Sequence, residues 1–188
     1  MRILIGLLSL LYVFSCHAGE SIRSAKSNDK NSPVDGEPEH RFVTKHIWDA
    51  KVDIGSVLEL GASKYGTRRT IPILGGTFTG PHINGTVIPG GADWQVTRAD
   101  GDTELHARYL LKTNDGVLIQ VINRALIHSP VTDEKNVAPY IRSVLELEAP
   151  SDSKYAYLNH AIFLGTLEIP QLKPGENPYV IIGVHQLL

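Results

Sequence analysis

The chain predicts an all-β domain, and three observations carry that reading. Residues 75–94, GGTFTGPHINGTVIPGGADW, hold six glycines and two prolines in twenty positions. Each glycine costs a helix roughly 1 kcal/mol and each proline about 3, so no helix forms there. From Arg41 onward, apolar residues come in short runs without a sustained 3.6-residue period. Asp100-Gly101 and Asn114-Asp-Gly116 mark tight hairpins, because Asp-Gly accepts the positive φ that such turns need.

Taken in order, the strands are expected over 42–52, 57–60, 70–74, 77–79, 86–88, 94–98, 104–112, 117–123, 141–148, 157–168 and 180–187. The first two and the last are short stretches in which apolar residues recur between turn-forming segments. The glycine-rich stretch reads as two short strands between sharp turns, ending with Asp93-Trp94 at the mouth of the next strand. Residues 94–123 form an antiparallel meander through the two Asp-Gly turns. A helical turn is expected over 131–140, bracketed by Pro130 and Pro139. Pattern alone leaves sandwich and barrel open, since each manages its sheet edges.

The N-terminus stands apart from the fold. Met1-Arg2 supplies a positive end, 3–15 is an apolar run too short to span a bilayer, and Cys16-His17-Ala18 places small residues at −3 and −1. This is the pattern of a secretory signal peptide over 1–18, cleaved after Ala18. A lipid-attachment box ending at Cys16 is the rival, disfavoured by bulky Phe14. Residues 19–40 are polar, bury too little to offset ordering entropy, and read as a flexible leader. The folded domain is expected over 41–188, in a protein that is secreted or periplasmic.

Of the 188 residues, cleavage would leave 170, and loss of Arg2 would leave 17 Lys and Arg against 20 Asp and Glu, a net −3. Cleavage would also remove the single cysteine, so stability must come from the core. The acidic balance, with no basic block, argues against nucleic acid as a partner. No second apolar run is long enough to span a membrane. Histidines 40, 46, 82, 106, 128, 160 and 185 fall at no metal-ligand spacing, so no metal site is expected. Gly75 and Gly80 stand five apart as in a phosphate-binding loop, but Pro81-His82 follow where Lys and Ser or Thr are needed. No Gly-x-Ser-x-Gly elbow occurs. Asn84-Gly-Thr86 is a glycosylation sequon that reads as turn chemistry.

Several blocks together resemble the DUF3237 (UPF0311) family. They are Gly75-Gly76, Gly80-Pro81, Gly85, the run from Val87 to Trp94, Asp100-Gly101, Ala107-Arg108-Tyr109, Asp115-Gly116, the run from Tyr155 to Asn159, and Phe163-Leu164-Gly165. The likeness runs in order from about Arg41 to the C-terminus. It implies a single antiparallel β-barrel of about 8–10 strands. Its functional implication is looser: some fungal relatives belong to aromatic natural-product pathways, where ring-closing chemistry is attributed to them.

Candidate site residues follow from strand parity together with that resemblance. Glu104, His106, Arg108 and Leu110 share one face of their strand, and Leu105, Ala107, Tyr109 and Leu111 the other. Three ionisable groups in a row are the pattern of a solvated outer surface. The match of Arg108 to the family's Ala-Arg-Tyr block implies a pocket residue instead, and Tyr109 goes with it. His106 departs from the family pattern, in which an Asp is commoner. Asp93 and Trp94 read either as turn former and core filler or as acid and aromatic platform. An Asp walled by indole would have its pKa raised by desolvation, while a nearby Arg108 would hold it ionised. Tyr155, Tyr157 and Asn159 alternate if 157–168 is a strand, which would put Tyr157 and Asn159 against a ligand. Arg142 resembles a family position.

The expectation is therefore a cofactor-free barrel that binds a small, aromatic or carbonyl-bearing molecule, as a monomer or homo-oligomer. Asp93 and Arg108 would be the catalytic pair, and Trp94, Tyr109, Arg142, Tyr157 and Asn159 the ligand contacts. Proton transfer is the chemistry such groups permit. A carrier without turnover and a purely structural barrel are the alternatives.

Overall fold

The computed structural model describes residues 42–130 and 137–188. The signal peptide and leader expected over 1–40, and the first part of the helical turn expected over 131–140, lie outside these residues. Among the described residues there are nine strands: β1 (Thr44–Ile54), β2 (Leu58–Ser63), β3 (Gly66–Thr79), β4 (Asn84–Thr97), β5 (Thr103–Thr113), β6 (Leu118–His128), β7 (Tyr140–Glu148), β8 (Phe163–Glu168) and β9 (Tyr179–Leu187). They pair antiparallel in the order β1-β9-β8-β7-β6-β5-β4-β3, and β3 pairs back onto β1. The result is a closed eight-stranded antiparallel barrel, whose closure pairs both edges of the eight-stranded sheet. β2 pairs only with the first part of β3, continuing along it where β1 has ended.

Both Asp-Gly hairpins form, with Gly101 at φ 91° and Gly116 at φ 90°. The glycine-rich stretch behaves differently from expectation. The four short strands expected over 70–79 and 86–98 are two long ones, β3 and β4. Their mutual ladder breaks between Pro72 and Thr77, opposite a break in the β4–β5 ladder between Ile88 and Ala92. The glycines are absorbed as bulges within continuing strands, where extra residues bend the ladder without ending it. Gly76 shows why: it has φ 133°, and a Cβ there would collide with the Lys51 carbonyl oxygen on the neighbouring strand.

The barrel has two unlike ends. One is closed by an apolar core of Trp48, Phe78, Ile83, Leu111, Ile119, Leu158 and Phe163, all almost fully buried. Trp48 and Phe78 meet edge to face with ring centroids 5.6 Å apart, the arrangement favoured by the aromatic quadrupole. Leu158 reaches the core from a short 3-10 helix over Ala156–His160, so the strand expected over 157–168 begins only at Phe163. The side-chain amide of Asn159 clamps this turn, accepting from the Ala149 N–H at 2.7 Å and donating to the Ala149 carbonyl at 2.9 Å. The Tyr155 hydroxyl donates to Asp115 at 2.8 Å, tying the turn to the β5–β6 hairpin.

The other end carries the β4–β5 and β8–β9 connections. Here the inward-facing side chains of Leu105, Ala107, Ala125, Ile127 and Val180 are only partly buried. This end is a mouth. Arg98 fixes its rim, with hydrogen bonds to Asp100, Asp102 and Glu104, and Asp102 also meets His128 Nδ1 at 2.6 Å. No helix among the described residues is long and apolar enough to cross a membrane.

Candidate functional site

Inside the mouth, polar groups take the place of the aliphatic core. Cα partners run Ile71–Asp93–Ala107–Asn123–Leu145 around the wall, and Arg69–Gln95–Leu105–Ala125–Ser143–Gly165 in the row nearer the rim. The side chains of Arg69, Gln95 and Asp93 form one chain: Arg69 Nε donates to Gln95 Oε1 at 2.7 Å, and Gln95 Nε2 donates to Asp93 Oδ2 at 2.6 Å. With a partner on each side, the orientation of the Gln95 amide is fixed by its network.

Two acceptors in these rows remain unsatisfied. Asp93 Oδ1 and Asn123 Oδ1 are buried and have no hydrogen-bond partner among the described residues. Asn123 itself is only 7% exposed. An unpaired buried acceptor costs about 1–3 kcal/mol, so a pair of them on one wall is a feature needing a reason. Ala107 and Ala125, with small side chains, stand in the same rows. Tyr109, 5% exposed, lies one step deeper on the inner face of β5.

Electrostatics follow from this burial. Desolvation pushes the Asp93 carboxyl above its ordinary 3.8, and the hydrogen bond from Gln95, the nearby backbone N–H of His106 and the positive charge of Arg69 offset the rise only in part. Burial also pushes the Tyr109 phenol up, and the negative charge of Asp93 adds to it. Asp93 and Tyr109 stand on neighbouring strands of the same wall.

The residues singled out from sequence divide sharply. Asp93 and Tyr109 face inward. Trp94 and Arg108 do not: they lie on the outer face, with Trp94 47% exposed and Arg108 donating to Gln120 Oε1 at 2.9 Å. The expectation that indole and guanidinium line the inside of the barrel is corrected, because both lie on its outer face. Alternation along β5 turns Leu105, Ala107, Tyr109 and Leu111 inward, leaving Arg108 and His106 to solvent. Arg142 also points outward, donating to the Ile141 carbonyl at 2.7 Å beside the Tyr140 ring. Tyr157 and Asn159 sit on the 3-10 turn at the closed end, remote in the fold from the mouth, and the amide of Asn159 is spent on Ala149.

Arg69, Gln95, Asn123 and Ser143 were not anticipated. Each is a polar member of an otherwise apolar alternation: Arg69 with Ile71 and Ile73, Asn123 with Ile119 and Val121, Ser143 with Leu145 and Leu147. Gln95 continues the inward register of Gly85, Val87 and Asp93. That misfit between residue type and register was the available signal.

Comparison with known proteins gives a consistent picture. A UPF0311 protein of Rhodopseudomonas palustris (strain TIE-1) is 33% identical over 156 residues, which is 77% of this chain and 96% of that protein. The crystal structure of a β-barrel-like protein from Acinetobacter baumannii superposes with a TM-score of 0.68 at 30% identity, covering 81% of this chain and 99% of that one. A protein of Penicillium herquei named hydroalkoxylation enzyme phnH is 34% identical over 94 residues, 50% of this chain and 53% of its own. The model of DUF3237, a family described as proteins of unknown function, matches residues 43–187. With closed barrel, sequence likeness and structural likeness in agreement, the chain belongs to the DUF3237 family.

Proposed function

We propose that the barrel takes a small hydroxyl- or carbonyl-bearing molecule through its mouth and that Asp93 moves a proton on it. The observation carrying this reading is the Asp93 carboxyl itself. One oxygen is held by Gln95, the other is buried without a partner, and desolvation makes the group a stronger base than an ordinary carboxylate. Arg69 and the amides of Gln95 and Asn123 supply polar contacts on the same wall, and the Tyr109 phenol lies beneath.

Such a set suits cofactor-free chemistry. A hydroxyl that adds across a carbon–carbon double bond gives up its proton as the C–O bond forms, and the adjacent carbon gains one. Nothing is oxidised or reduced, and one carboxyl can take the first proton and return it. The name of the Penicillium herquei relative fits that class of reaction. A carrier that binds without turnover uses the same wall, and substitution at Asp93 separates the two.

Binding inside the mouth is tested by filling it. Ala107→Phe places an aromatic ring between Asp93 and Asn123 on the wall. A compound captured from a panel of hydroxylated and carbonyl-bearing small molecules should bind the wild type and fail to bind Ala107→Phe, while the variant keeps a cooperative melt. Undiminished binding by a folded Ala107→Phe protein would exclude the interior.

We further propose export with cleavage after Ala18, supported by the apolar run and the small residues at Cys16 and Ala18. Intact mass of the protein recovered outside the cytoplasm should begin at Gly19. A chain that retains Met1, or carries lipid on Cys16, would contradict this.

A further inference from the structure

The outer face of the same wall carries a second constructed feature. Where the β3–β4 and β4–β5 ladders break, a groove of about 390 Å³ opens, lined among others by Ile88, Pro89, Gly91, Trp94, Arg108 and Gln120. Its size falls in the range of roughly 300–1,000 Å³ typical of small-molecule sites. Gly91 lets β4 and β5 lie close at this break: a Cβ there would come within 2.6 Å of both the Arg108 carbonyl oxygen and the inward-facing Tyr109 Cβ. Bulges of this kind re-aim side chains beside binding sites.

The polar side of the groove is held in place. Glu148 Oε2 accepts from Gln120 Nε2 at 2.9 Å, which turns Gln120 Oε1 toward Arg108, and Arg108 Nη2 donates to it at 2.9 Å. The guanidinium is thus oriented by a neutral amide and keeps its full charge for another partner. Trp94 presents a half-exposed indole to the same groove. A flat hydrophobic platform beside an oriented guanidinium is the complement of a planar aromatic ring bearing a carboxylate: the ring stacks on the indole, and the carboxylate takes the guanidinium fork.

We infer that this groove is a binding site for small aromatic carboxylates, separate from the interior of the barrel. Asp93 and Trp94 are adjacent in sequence but face opposite sides of the sheet, so the groove does not depend on any role for Asp93.

The chain offers its own reporter, because Trp48 is 1% exposed in the core and Trp94 is 47% exposed in the groove. Titration of 2-naphthoate should quench the Trp94 emission saturably, with a dissociation constant below about 1 mM. Isothermal titration should show affinity weakened by about tenfold or more in Arg108→Gln, as expected for loss of a charge-assisted hydrogen bond. Gln120→Leu, which frees the guanidinium, should weaken it in the same direction. Both substitutions are on the outer face and should leave the melting temperature unchanged. The neutral analogue 2-naphthalenemethanol should bind equally to wild type and Arg108→Gln. Asp93→Asn should bind 2-naphthoate as the wild type does. Quenching that never saturates, or equal affinity for the acid in wild type and Arg108→Gln, would overturn the proposal. Loss of naphthoate binding in Asp93→Asn would overturn it too, by placing the ligand inside the barrel.

Discussion

Asp93→Asn is expected to remove proton transfer while making the protein more stable at neutral pH. As general acid or base, Asp93 should account for about 10²- to 10⁴-fold of any rate. Asparagine preserves the shape and still accepts from Gln95, so ligand affinity should largely persist; a pure carrier would show no turnover in either form. The stability effect follows from linkage. The folded-state pKa of Asp93 lies above the ordinary 3.8, so the native protein holds its proton to higher pH than the unfolded chain does. Stability contributed through this group therefore falls as pH rises from 3.8 through the elevated value, and above both the ionised carboxyl weighs against the fold. The variant should melt above the wild type at pH 7, with the gap closing as the pH approaches 3.8. Thermal melts of the two proteins between pH 4 and 8 measure this directly. A variant less stable than wild type at pH 7 would contradict the account of the Asp93 environment. A functional group held at a cost to stability is the usual form of the trade-off between the two.

Gly76→Ala should be among the most damaging single-methyl additions to the barrel. The position combines φ 133° with a Cβ that would run into the Lys51 carbonyl, a backbone atom of β1 that cannot swing aside. β1 and β3 are the pair that closes the barrel, so the collision falls where the cylinder is joined. Strain of this kind costs about 1–3 kcal/mol for the backbone alone, and displacement of β1 adds to it. We expect a loss of about 3 kcal/mol or more by denaturant titration. Gly116→Ala is the matched control: φ is 90°, but nothing lies within 4 Å of the added carbon. It should cost only about 1–2 kcal/mol, the penalty of a left-handed conformation. Equal losses at the two positions would mean that close strand approach contributes nothing.

These two residues also show what was legible in the sequence. The existence and order of β5, β6, β7 and β9 could be read from alternation and from Asp-Gly turns, because local chemistry alone decides both. The continuity of β3 and β4 could not. A bulge and a turn draw on the same glycines, and only the neighbouring strands, β1 and β5, decide whether the chain reverses or carries on. Likewise the 3-10 turn at Ala156–His160 is held by Asn159 gripping Ala149 from ten residues away, a contact that no local pattern encodes.

The site was half legible. Asp93 and Tyr109 face the interior, but Trp94 and Arg108 were placed by residue type rather than by register. A large indole suggests a core and a family arginine suggests a pocket. The alternation of Gly85, Val87, Asp93 and Gln95 points the other way, and it prevails because inward-facing positions are set by pleat geometry. Arg69, Asn123 and Ser143 went unnoticed because each hides in an apolar run, where a single polar residue draws less attention than a cluster.

The central claim is that a desolvated carboxyl at Asp93 waits inside the mouth for a ligand. A carbon-detected NMR titration of the Asp93 carboxyl tests it most directly. An inflection clearly above 3.8, absent from the Asp93→Asn spectrum, is the result this geometry requires. Titration at or below 3.8 would show the group solvated or paired, and the interior would lose its claim to be a site.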